Sequence, residues 1–209
     1  VVIESVSNKK VQFLRKLSDR KTRYEEGCFI VEGYNIIKDI PSNIVPGSIY
    51  IAESKTDIFY SFAKKFDCPI TILADRVFEA VAETVTPQGI LAVLPLPKLP
   101  DFSKLSDRII VLDNISDSGN LGTIIRTAVA FGYSDIVLVN SADAYSGKAV
   151  RSSMGGVLKA TIFQLNYEEY KDNINHPVYI LDMNGEDIKK ANIDGKAALV
   201  IGNEAHGVT

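Results

Sequence analysis

Leu112-Asp113-Asn114-Ile115-Ser116-Asp117-Ser118-Gly119-Asn120-Leu121-Gly122-Thr123-Ile124-Ile125-Arg126-Thr127-Ala128 is the stretch on which the fold turns. The apolar run Ile109 to Leu112 reads as a buried strand, and the polar, glycine-bearing residues after it read as a turn. Leu121, Ile124, Ile125, Ala128 and Val129 then recur at the spacing of one helix face. Asn120 is the expected N-cap and Gly132 the expected stop. Strand, polar turn and helix is the unit in which α/β proteins place ligand loops. Arg126 lies on this helix but off the apolar stripe, free to face whatever binds.

Outward from that stretch, strands and helices alternate. After the turn and helix come strands at Ile136 to Val139, Thr161 to Leu165, Val178 to Leu181 and Ala197 to Ile201. Lys148 and Arg151 sit on one helical turn between the first two. Short apolar runs separated by helices predict a parallel sheet. Loops that follow parallel strands share one edge, so 113–120, 182–185 and 202–207 are expected to converge.

The amino-terminal half repeats the pattern on a smaller scale. Val11, Leu14 and Leu17 mark a helix over 8–18. Strands are expected at Cys28 to Val31, Ser48 to Ala52, Pro69 to Leu73 and Ile90 to Leu94, with helices near Ile36, Phe59 and Val77. Pro95, Pro97 and Pro100 follow closely and cannot continue a ladder. The chain therefore divides into an α/β unit over 1–94, a proline-rich linker over 95–107 and a second α/β unit over 108–209.

The 209 residues carry a net charge of −3, so no global field draws in nucleic acid and any such site is a local patch. One patch stands out: Lys9, Lys10, Arg15, Lys16, Arg20, Lys21 and Arg23 are opposed only by Asp19. It reads equally as a solvated face or as a set of phosphate contacts. Cys28 and Cys68 lie in apolar stretches and read as buried, reduced thiols, which fits a cytoplasmic protein. No apolar run is long enough to span a membrane. The chain begins at Val1 and stops at Thr209, just past a polar cluster, so further residues are expected at both ends.

Common signatures are missing. Ser118-Gly119-Asn120-Leu121-Gly122 is not the dinucleotide fingerprint, and there is no Walker A run. His176 and His206 lack metal-ligand spacing with the cysteines, so no metal is expected. No serine occupies a nucleophile elbow. What remains is one arginine and loops rich in Gly, Asn and acids. Their glycines permit close backbone approach to a small polar cofactor, and Arg126 suits a phosphate or carboxylate. The same residues also read as plain turns, with Arg126 paired to Glu204.

Asp117 to Ala128, followed by Phe131-Gly132, resembles the first motif of the SpoU (TrmH-like) RNA ribose 2′-O-methyltransferases of the SPOUT superfamily. Ile201-Gly202-Asn203-Glu204-Ala205-His206-Gly207 resembles the second motif, and Tyr145 to Gly155 the segment between them. Arg20-Lys21-Thr22-Arg23 and Phe29-Ile30-Val31-Glu32-Gly33 resemble the start of the L30e-like RNA-binding domain that many members carry. Ser118 stands where the family has proline. The family's third motif, which completes a trefoil knot, much of the cofactor pocket and the dimer interface, does not follow within this sequence.

The resemblance implies an α/β knot-type domain behind a smaller L30e-like domain. It implies methyl transfer from S-adenosylmethionine to a ribose 2′-hydroxyl, with ribosomal RNA preferred to transfer RNA, by a homodimer without metal or membrane. Arg126, Asn120 and Glu204 become the catalytic set. Leu181, Asp182, Met183, Asn184, Gly185, Ile201, Gly202, Asn203, Glu204 and Gly207 become the cofactor set. Lys9, Lys10, Arg20, Lys21, Arg23, Lys148 and Arg151 become the RNA-facing set. A non-catalytic RNA-binding protein that keeps the fold is the alternative.

Overall fold

The computed structural model describes residues 2–193 and 195–209, the side chain of Ile188 excepted. The first unit is a mixed sheet of β1 (Val2–Ile3), β2 (Cys28–Glu32), β3 (Ser48–Ala52), β4 (Ile70–Leu73) and β5 (Ile90–Pro95). Its order is β1-β4-β3-β5-β2, with β5 antiparallel to both neighbours. Its helices are α1 (Lys9–Lys16), α2 (Arg20–Glu26), α3 (Tyr34–Ile37), α4 (Thr56–Ala63) and α5 (Asp75–Glu79).

Two features here differ from the sequence reading. The basic run 20–23 is itself the first turn of α2, capped by Asp19, which accepts from the Thr22 amide at 2.8 Å. Its helix period is hard to see in the sequence because only Arg23 on it is buried. Pro95, expected to interrupt the ladder, closes β5 opposite Cys28. The end of a strand tolerates a missing N–H.

The second unit is an all-parallel sheet in the order β8-β7-β6-β10-β9. Its strands are β6 (Arg108–Asp113), β7 (Asp135–Val139), β8 (Thr161–Leu165), β9 (Val178–Ile180) and β10 (Ala197–Ile201). Its helices are α6 (Ser118–Ala130), α7 (Gly147–Ser152) and α8 (Tyr167–Asn173). Ile109 to Asp113 are all buried, as expected for a central strand covered on both faces. The cap of α6 is Asp117, not Asn120. The Asp117 carboxylate accepts from the Asn120 amide at 2.9 Å, so the helix begins one turn earlier than the apolar period signals.

Gly122 is where α6 and α7 cross. A Cβ there would lie 2.5 Å from the Ala149 carbonyl oxygen and 2.6 Å from the Ser152 Cβ, so only glycine permits this approach. The two units share one apolar core: Phe29, Val31 and Leu94 pack in one cluster with Leu121, Ile125 and Val150. Phe29 meets Tyr145 at 5.0 Å between ring centroids.

A buried ion pair fixes α2 to the loop after β7. Arg23 and Asp143 are only 4% and 6% exposed. Arg23 Nη2 and Nε donate to Asp143 Oδ2 at 2.6 and 3.2 Å, and Nη1 donates to the Leu17 and Ser18 carbonyls. Asp143 Oδ1 accepts from Tyr24 Oη and from the Tyr145 amide. Burial, and next the Asp143 charge, pushes the Tyr24 phenol up to about 12.

Candidate active site at the carboxyl edge of the second sheet

The edge is built from strand ends. Asn114 leaves β6 with φ of 57°, which turns the chain out of the sheet toward α6. Asp117 then starts the helix and is held by Lys148 Nζ from α7 at 2.5 Å. That interaction, with the Asn120 amide second, keeps the Asp117 carboxyl below its ordinary value.

Two strands meet here. β10 lies beside β6, with Ile201 opposite Leu112, so the 202–207 loop rises next to 114–120. It closes on itself through Asn203 and Gly207, each amide donating to the other's carbonyl at 2.8 Å. A Cβ on Gly202 would fall 2.3 Å from the Gly207 carbonyl carbon. That glycine is therefore required by the loop's own closure, not by a ligand's approach.

Three hydrogen bonds join this loop and its tail to the β6 edge. Asn120 Nδ2 donates to Glu204 Oε1 at 2.6 Å, and Asn203 Nδ2 to the Asn114 carbonyl at 3.0 Å. The Thr209 amide donates to Asp113 Oδ2 at 2.6 Å. Asn120 and Glu204 thus meet directly. The pairing of Arg126 with Glu204 does not form. Among the described residues the Arg126 guanidinium has no hydrogen bond or ion pair, and the residue is exposed. Six positions along a helix place it about 9 Å up the axis and about 120° around from Asn120. Asn120 is therefore bonded to Glu204 and not to Arg126.

The 182–185 turn stands on the same edge, after β9. Asp182 accepts from the Asn184 amide at 2.8 Å, and Leu181 N donates to the Val200 carbonyl at 3.0 Å. Leu181 and Met183 expose their apolar side chains beside β10. Among the described residues no hydrogen bond links 182–185 to 114–120 or to 202–207. The three loops share an edge, and two of them are stitched together.

The basic residues divide. Lys9, Lys10, Arg20 and Lys21 are exposed; Lys10 donates to Thr71 Oγ1 at 3.2 Å, and Lys21 lies 3.7 Å from Glu25. Arg23 is removed from the RNA-facing set, because its guanidinium is buried and makes four hydrogen bonds within the protein. Arg151 Nη1 donates to Glu83 Oε2 at 2.8 Å across the two units. The sequence reading missed Asp143 and Glu83, the two acids that tie the units together. A signal for Asp143 existed: it is the acid amid the small and apolar residues Ala142, Ala144 and Tyr145. Cys28 and Cys68 are free, and burial, with Glu26 and Asp67 second, pushes both thiols up.

This combination of a five-stranded parallel sheet, an edge of stitched loops and a mixed-sheet unit in front is shared with known structures. The chain superposes on a putative RNA methyltransferase of the TrmH family from Porphyromonas gingivalis with a TM-score of 0.81. That match has 28% identity and covers 98% of this chain and 84% of that one. It also superposes on an AdoMet-bound rRNA methyltransferase from Sinorhizobium meliloti with a TM-score of 0.84. That match has 24% identity and covers 100% and 83%. The fold is that of the SPOUT methyltransferases.

Residues 107–209 match the SpoU rRNA methylase family, and residues 8–92 match the MRM3-like substrate binding domain. A curated relative is the 23S rRNA (guanosine(2553)-2′-O)-methyltransferase RlmP of Bacillus subtilis. It is 33% identical over 99% of this chain and 84% of its own length. The chain belongs to the SpoU rRNA methylase family.

Proposed function

We propose that this chain transfers a methyl group from S-adenosylmethionine to a ribose 2′-hydroxyl of ribosomal RNA. The observation that carries the reading is a pair of features on α6 and the 202–207 loop: Asn120 bonded to Glu204 at 2.6 Å, and an exposed Arg126 with no hydrogen bond or ion pair among the described residues. Residues 1–94 form the RNA substrate-binding domain, 95–107 the linker and 108–209 the catalytic domain.

The edge offers one part of a cofactor site. Exposed Leu181 and Met183 offer an apolar wall for a purine ring. The Asp182 carboxylate and the backbone groups of 181–185 and 201–203 offer polar partners to ribose and amino-acid groups. Ile201, Gly202, Asn203 and Gly207 shape the loop, and Asn184 and Gly185 close the turn beside it. When bound, S-adenosylmethionine supplies an electrophilic sulfonium methyl group.

The chain's own residues handle the nucleophile. A 2′-hydroxyl must lose its proton as it attacks, and a guanidinium stays protonated at any working pH. Arg126 therefore acts as a clamp and an electrostatic partner: it grips the adjacent phosphate in a fork and stabilises the oxygen as it becomes anionic. The proton leaves to solvent. Glu204, positioned by Asn120, fixes the 202–207 loop against the β6 edge.

Because Arg126 points away from Asn120 and Glu204, the working site is completed by a second copy of the chain in a homodimer. The same reading makes the enzyme cytoplasmic and its complete carboxyl-terminal fold knotted, as the resemblance implies. Lys9, Lys10, Lys21, Lys148 and Arg151 supply the phosphate contacts, and Arg20 faces the RNA beside them.

The test is transfer of a labelled methyl group from S-adenosylmethionine to ribosomal RNA from a strain lacking the enzyme, followed by digestion and chromatography. Label in a 2′-O-methylated nucleoside is expected. Label only in a base, or none, overturns the reading.

A further inference from the structure

The carboxyl edge continues past Asn114 to the ends of β7 and β8, where a cavity of about 390 Å³ opens. Its wall on the catalytic side is Ser141, whose Oγ accepts from the Ile115 amide at 2.9 Å, inside the loop that leads to α6. Its opposite wall is Arg20, which reaches over from α2 of the first unit. The remaining polar lining is Asn140, Gln164, Asn166 and Glu169.

The hydrogen-bonding capacity of this lining is only half used. Arg20 has no carboxylate partner among the described residues, and its guanidinium rests over the Tyr24 ring, 5.6 Å from the centroid. Asn140 is held at φ of 46°, with neither end of its amide engaged among the described residues. Gln164 donates its amide to Tyr24 Oη and keeps its carbonyl oxygen. Asn166 Oδ1 and Glu169 Oε2 are taken by each other's backbone amides, which leaves Asn166 Nδ2 and Glu169 Oε1. Unused groups of both kinds therefore stand together: donors on Arg20, Asn140 and Asn166, acceptors on Asn140, Gln164 and Glu169.

That balance selects the ligand. A phosphate carries acceptors only, and the Glu169 carboxylate and Gln164 carbonyl would oppose it. A nucleobase edge carries donors and acceptors side by side and matches both. Proteins read RNA sequence on such edges when bases are unpaired and splayed out. Guanidinium and carboxylate side chains each have standard partners on them.

We propose that this cavity is a nucleobase subsite, which receives an unpaired base of the RNA substrate in a cleft walled by both units. The inference rests on the methyltransferase reading above and adds where the RNA is read. Arg20 is then a base-reading residue rather than a phosphate contact.

The test uses two variants and uncharged probes. Asn140→Gly removes the amide yet keeps the left-handed backbone, so it folds; Arg20→Ala removes the guanidinium. In the wild type, the four free nucleosides are titrated at millimolar concentration while the side-chain amide resonances of Asn140, Gln164 and Asn166 are followed. Ribose 5-phosphate serves as the comparison. At least one nucleoside shifts these resonances, ribose 5-phosphate does not, and each variant abolishes the response. Equal shifts with ribose 5-phosphate, or none with any nucleoside, overturn the proposal.

With ribosomal RNA, Asn140→Gly raises Kd by at least about fivefold and leaves the salt dependence unchanged, since a base contact releases no counterion. An unchanged Kd in an enzyme that still methylates ribosomal RNA defeats the subsite alone. A wild type that transfers no methyl group defeats the function reading, and the nucleoside titration then decides the cavity separately.

Discussion

Asp143→Ala breaks the buried bond between the two units, and its cost is set by what stays behind. The Arg23 guanidinium is 4% exposed and makes four hydrogen bonds, of which only the two to the Leu17 and Ser18 carbonyls survive the change. Tyr24 Oη and the Tyr145 amide lose their acceptor at the same time. Removing one partner of a buried ion pair costs about 3–5 kcal/mol, because an uncompensated charge remains. For a chain of this size each kcal/mol moves Tm by about 2–4 °C, so a fall of roughly 6–20 °C is expected by calorimetry. Arg23→Met combined with Asp143→Leu removes both charges and recovers more than half of the loss. Recovery is incomplete because the Tyr145 amide still lacks an acceptor. A single variant within about 1 kcal/mol of wild type, or a double variant no better than the single, refutes this reasoning.

Three further outcomes are expected. Gly122→Ala drives a methyl group into the Ala149 carbonyl and Ser152, and overpacking of this kind costs about 1–3 kcal/mol in urea denaturation; an unchanged midpoint means that α6 and α7 separate freely. Reversing Lys9 and Lys21 to Glu lowers the slope of log Kd for RNA against log salt by about 0.7–0.9 for each phosphate that is no longer neutralised. An unchanged slope clears α1 and α2 of any phosphate-binding role. Asp117 has a lowered folded-state value, so its stabilising effect is present above the ordinary aspartate value of 3.8 and is lost as pH falls through the lower folded one. Asp117→Asn keeps a capping side chain but removes the charge held by Lys148, so it flattens the acid limb of a Tm-against-pH curve below about pH 4, and an unaltered limb counts against the Lys148 bond.

Much of the fold was legible because burial leaves a periodic trace. Ile109 to Leu112, Ile136 to Val139 and Ala197 to Ile201 are near-continuous apolar runs, and they are the three central strands of a parallel sheet. Once those strands were placed, the shared edge of their loops followed. What was not legible lay in polar residues whose role depends on a distant partner. Arg23 looks like any lysine or arginine of its basic run; only the folded chain shows Asp143 beside it, 120 residues away. Asn120 looks like a cap because the apolar period starts at Leu121. The true cap, Asp117, lies one turn before the first buried residue of the helix, Leu121. Asn120 and Glu204 were readable as site candidates, but their direct bond, and the separation of both from Arg126, needed the helix phase and the register of β10 on β6.

The most direct test of the account is Arg126→Ala, with cofactor binding and methyl transfer measured on the same protein. S-adenosylmethionine affinity by calorimetry stays within about twofold of wild type, because among the described residues of one protomer no hydrogen bond joins Arg126 to the 181–185 turn or the 201–207 loop. Methyl transfer to ribosomal RNA falls by about 10²–10³-fold, the usual cost of losing one preorganised electrostatic partner of a developing anion. Transfer within about threefold of wild type, with the cofactor still bound, contradicts the role given to Arg126.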